Sequence, residues 1–169
     1  MYYTTIDLTK RQRDFSERFQ EFWKKHEKHG IYCEFGHPND ATKMFRRVLS
    51  CLEDGVAVTL TRHHTVHEEE SLRRFRTIDE ERVCARLVEP VIHADKIVFQ
   101  LIPYGPYGEV VRDALEEGRM FIPGARTFTD GYGRHADRVC REVIALDLIP
   151  SEMHMDTGED KCRPFASLS

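Results

Sequence analysis

Apolar positions along this chain fall into short runs whose period changes from segment to segment. Phe15, Phe19, Phe22, Trp23 and His26 recur at helical spacing, Thr9 with Gln12 has the form of a capping box, and Gly30 offers a stop. The pattern predicts an amphipathic helix over residues 10–29. Ile31 to Phe35 is rich in strand formers and ends in the turn residues Gly36 to Asn39. Phe45, Val48, Leu49 and Leu52 share one helical face, so a short helix capped by Asp40 and reaching Leu52 is expected. Val56, Val58 and Leu60 then alternate as a half-buried strand does.

From His63 to Glu81 charge dominates, which predicts an exposed loop or helical insertion. Arg82 to Ile92 and Lys96 to Ile102 read as a hairpin turning at Ala94-Asp95. The Pro/Gly loop 103–108 opens a helix over Glu109 to Glu117, with Gly118 as its stop. Met120 to Ile122 and Arg138 to Ile149 are apolar enough for strands, with a mobile turn over Thr129 to Asp137 between them. The sum is an α+β chain: an N-terminal helix (1–29), one β-rich domain with short helices (30–150), and a weakly ordered tail (151–169).

A length of 169 residues suits one domain that needs no metal or disulfide staple. The five cysteines are odd in number and form no C-x-x-C pair, so buried, inert thiols in a reducing compartment are expected. A net charge of −4 disfavours a global attraction to nucleic acid. No apolar run is long enough to span a bilayer, and no cofactor motif is present, so neither a membrane nor a cofactor is expected.

Four elements in order carry a resemblance: Glu34-Phe35-Gly36-His37-Pro38, the loop from Ile102 to Gly108, Glu117 to Arg126, and Val143 to Ser151. In this order they resemble the capsid-assembly (prohead) serine proteases of tailed bacteriophages, which carry a Gly-His-Pro element, a Pro/Gly loop, a strand ending in Ser-Arg and a later strand ending in Asp, an apolar pair and Pro-Ser. The resemblance implies a serine nucleophile activated by a histidine base. At the Ser-Arg position this chain reads Ala125-Arg126, and a methyl group cannot attack a carbonyl. Thr127 lies one residue on, where a strand turns its side chain to the opposite face. His37, Ala125 and Arg126 therefore mark a degenerate site, and a non-catalytic role follows from the resemblance.

Other side chains invite chemistry. His63, His64 and His67 have spacings that could share a helical face, but supply at most two convergent metal ligands, which favours a solvated segment. Cys33, Cys51 or Cys140 could pair with His37, although each sits among apolar neighbours. Tyr104, Tyr107, Phe22 and Trp23 are aromatic anchors of the kind that dominate protein interfaces.

These observations favour a phage-encoded protein that binds another protein, a phage structural protein or a host factor, in the host cytoplasm or on the virion. The competing readings are an active hydrolase, serine-type or metal-dependent, and a nucleic-acid accessory protein using the basic residues of the first helix.

Overall fold

Alternation and turn chemistry place eight strands in the computed structural model, which describes residues 1–36, 49–51, 55–59, 72–131 and 137–151. In chain order they are β1 (Tyr2–Asp7), β2 (Ile31–Glu34), β3 (Leu49–Cys51), β4 (Gly55–Thr59), β5 (Val83–Ile92), β6 (Lys96–Pro103), β7 (Phe121–Asp130) and β8 (Val139–Pro150). Among the described residues α1 (Phe15–His26) and α2 (Gly108–Glu116) join them, and residues 72–76 are helical as well. The class is α+β and β-rich, as the sequence predicts.

One sheet has the order β1-β6-β5-β2 and is antiparallel throughout; the other has the order β3-β4-β7-β8, in which β4 and β7 run parallel. An isolated bridge from Phe35 to Leu148 joins β2 to β8, and the Thr4 hydroxyl donates to the Phe121 carbonyl at 2.7 Å, tying β1 to β7. The sheets are thus linked at both flanks. Helix α1 lies against β8 and buries Phe15, Phe19 and Phe22, and Phe19 meets Phe99 edge-on with ring centroids 5.6 Å apart. Each such ring contributes about 2 kcal/mol through area removed from water. The same core takes Ile6 and Leu101 from one sheet and Leu146 and Leu148 from the other.

The N-terminus departs from expectation. Residues 1–29 are built into the domain, because β1 pairs with β6 along its whole length and α1 lies on the core. The helix begins at Phe15 and not at residue 10, since the capping box never forms. Asp7 accepts from the Thr9 N–H and hydroxyl at 2.9 and 2.6 Å, and the Gln12 amide donates to Thr127. Arg13 is held in a bridge to Val139, and Asp14 turns the chain with φ of 66°.

The expected helix of residues 40–52 ends otherwise than predicted: Leu49–Cys51 is a strand paired with β4, and residues 40–48 lie outside the described residues. The charged segment is also not wholly exposed. Residues 72–76 are helical, and Phe75 is fully buried against Phe128. Strand β7 is longer than the stretch 120–122 expected, and it runs to Asp130, into the predicted turn. Residues 132–136 and the tail 152–169 lie outside the described residues.

Candidate functional site

Strand β7 is interior on both sides: β4 and β8 flank it, and all residues from Pro123 to Thr129 are buried. Ala125 pairs with Gly55 and Leu146 and belongs to the main apolar cluster, with no exposed surface. Its neighbour Arg126 is also wholly buried and is the largest fully buried side chain among the described residues. A guanidinium keeps its charge in a protein, so its five N–H groups must find acceptors there.

They do. Nε and one Nη2 hydrogen bind Asp147 two-pronged, at 2.9 and 2.8 Å. The other Nη2 hydrogen meets Glu34 Oε2 at 2.5 Å. Nη1 donates to the carbonyls of Phe75 and Thr77 at 3.0 and 2.8 Å. Glu34 in turn is clamped by Arg74 at 3.0 and 2.6 Å and accepts from the Asp79 N–H at 3.0 Å. Arg82 Nε also lies 3.9 Å from Glu34, so three arginines face the two carboxylates.

Each element delivers one member. β2 ends on Glu34 at a register shift after Cys33, β8 carries Asp147 opposite Gly124, and the helical turn of residues 72–76 brings Arg74 and the Phe75 carbonyl. Burial pushes Glu34 up, but Arg74, Arg126 and the Asp79 N–H outweigh it and hold the carboxyl below its ordinary range. For Asp147 burial prevails over the pull of Arg126 and lifts the group to about 6. Burial opposes the charge on Arg126, and Asp147 and Glu34 more than restore it.

Among the described residues, the hydroxyls nearest the pair and the thiols are buried. Thr127 accepts from Gln12 Nε2 at 3.3 Å, and both Thr127 and Thr129 are fully buried. Cys33, Cys84 and Cys140 are buried free thiols, and burial raises all three, Cys140 to about 12. At neutral pH they are protonated and inert. The side chain of Cys51, together with His37, His63, His64 and His67, lies outside the described residues; among the described residues no three His, Cys, Asp or Glu side chains converge on a metal position.

The aromatic candidates separate into two groups. Phe22 is in the core and Trp23 packs half-buried against it, whereas Tyr104 and Tyr107 stand 47% and 38% exposed. The buried cluster shows how sequence reading passed over Glu34, Arg74 and Asp147. The available signal was a carboxylate inside an apolar run, at Ile31 to Phe35 and again at Ile144 to Ile149, because a charge in such a strand is buried and must be paired.

The resemblance built on the Gly-His-Pro, Pro/Gly and Asp-containing elements has an independent counterpart. No curated protein and no solved structure matches the chain. Residues 2–155 match the Peptidase S80 family, a span that takes in every described strand and both helices. With the Ala125-Arg126 pair and its buried carboxylates inside that span, this chain belongs to the Peptidase S80 family and is prohead-protease-like.

Proposed function

We propose that this chain is a non-catalytic member of its family that works by holding another protein, a phage structural protein or a host factor. The observation that carries the reading is the saturation of Arg126. All five of its donors are engaged by Glu34, Asp147 and two carbonyls, so none is left for an oxyanion. Beside it Ala125 supplies a methyl group to the apolar core in place of a nucleophile. A pair that would do chemistry in a protease acts here as a structural pin. The surface, not the interior of β7, is then where the protein meets others.

The test is turnover. Purified protein incubated with phage capsid and scaffold proteins should leave them intact by mass spectrometry, and should retain one of them on a column. Ala125→Ser should cleave nothing either, and should lose about 1–3 kcal/mol of stability, because its hydroxyl enters an apolar cluster. Cleavage by the chain as written would end the proposal.

Family membership itself favours a second reading, a peptidase whose nucleophile and base lie outside the described residues. A fluorophosphonate that labels the protein covalently, with the modified residue mapped, would establish that reading.

A further inference from the structure

The loop 103–108 is a rigid platform. Tyr104 N–H donates to the Cys84 carbonyl at 3.0 Å, Tyr107 N–H to that of Val83 at 3.0 Å, and Gly108 N–H to that of Gly105 at 2.9 Å. Gly105 has φ of 85° and lies so close to β5 that a Cβ would stand 2.7 Å from the Val83 oxygen. Tyr32 and Tyr104 are 5.5 Å apart with the Arg86 guanidinium over both rings, and Tyr107 stacks on Phe35 at 5.7 Å. The exposed tyrosines are therefore held before any partner arrives, which lowers the entropic cost of binding.

One groove borders the platform, and a second lies beside Phe35, on which Tyr107 stacks. The first, of about 470 Å³, is walled by Tyr32, Ile78, Val83, Tyr104 and Pro106, with His26 and Glu80 at its margin. The second, of about 270 Å³, is floored by Phe35, Ala114, Phe121 and Pro150, with Val110 48% exposed at its rim. Its charged margin is Asp113, Glu117 and Arg119. Burial and Lys25 lower His26, which leaves it neutral at pH 7. Glu80, Asp113 and Glu117 form no ion pair with a described residue, so the rims carry three carboxylates against two guanidiniums, Arg119 at the second groove and Arg86 over the tyrosine wall of the first.

We infer that this double groove binds an extended segment of a partner protein in which lysine or arginine alternates with aliphatic side chains. Apolar side chains enter the two grooves, and the cationic heads reach the carboxylate rims. The complementarity is of sign as well as shape, with two of the three carboxylates at the second groove. The inference rests on the protein-holding reading above and names the chemistry of what is held.

The probe is a fluorescein-labelled peptide of alternating lysine and leucine, compared by anisotropy with the same peptide carrying glutamate for lysine. The first should bind, with affinity falling as salt is added, and the second should not. Tyr104→Ala with Tyr107→Ala should weaken binding by at least about tenfold, as loss of aromatic anchors does. Glu80→Lys with Glu117→Lys should weaken it in a fold whose thermal melt is unchanged. Equal binding of both peptides, no binding, or indifference to these variants would overturn the inference; so would sedimentation showing the grooves covered by a second copy of the chain. Peptide bound and then cut would instead remove the non-catalytic reading and leave the groove standing. Capture of a capsid or scaffold protein equally by wild type and by the tyrosine double variant would remove the groove and leave that reading.

Discussion

A buried guanidinium keeps its charge, and the surroundings of Arg126 follow from that constraint. Arg126→Met would leave Asp147 without its direct partner and Glu34 with only Arg74 and the more distant Arg82, an expected loss of about 3–5 kcal/mol at pH 7 in urea unfolding. The loss should shrink toward pH 4, where the carboxylates can take up protons. The two acids should also pull the pH dependence in opposite directions. Unfolded, Asp147 releases its proton near 3.8, and folded it holds it to about 6. As pH rises through that window the unfolded chain ionises first, so this residue's contribution to stability falls. Glu34 lies below 4.5 in the fold, so its contribution is present above that value and is lost as pH falls. Asp147→Asn should flatten the decline between pH 4 and 6 and leave the acid limb in place. An undiminished decline in the variant's urea midpoints would show that Asp147 does not cause it.

At the scale of elements, the loop before α2 gives the sharpest contrast. Gly105 and Gly118 both have φ near 85–88°, but only at Gly105 would a Cβ meet backbone, since nothing lies within 4 Å of the one built at Gly118. Gly118→Ala should cost about 1 kcal/mol for the left-handed conformation alone. Gly105→Ala should cost more, about 1–3 kcal/mol, and should loosen the tyrosine platform; equal shifts in melting temperature would refute the close approach. Elements with clean periodicity were legible from sequence: the β5–β6 hairpin, β2, β4, β8 and α2 fall where the pattern places them. The miss at α1 was local. Thr9 and Gln12 have the spacing of a cap, but a neighbour, Asp7, and a distant residue, Thr127, claim them first. Leu49 to Cys51 also joined a sheet against its helical spacing, because pairing with β4 satisfies its backbone.

For the whole molecule, the fold class was readable and the arrangement of the sheets was not. Tyr2 to Asp7 has weak apolar content, and only its partner β6 makes it a strand, burying Thr4 and Ile6. Deleting residues 1–7 should therefore abolish cooperative unfolding, read as loss of a sigmoidal urea transition, whereas retention would show β1 to be dispensable. The candidate site was legible by half. Ala125 and Arg126 stood out through the resemblance, but their acid partners lie elsewhere along the chain: the antiparallel β7–β8 pairing brings Asp147, and the contact of β2 with β8 brings Glu34.

That separation bears on synthesis. The acids that neutralise Arg126 are encoded at opposite ends of the domain, one in β2 and the other in the final strand. A chain emerging from the ribosome as far as β7 carries Arg126 with Asp147 still untranslated. The buried cluster around Arg126 can therefore close only once β8 has been added.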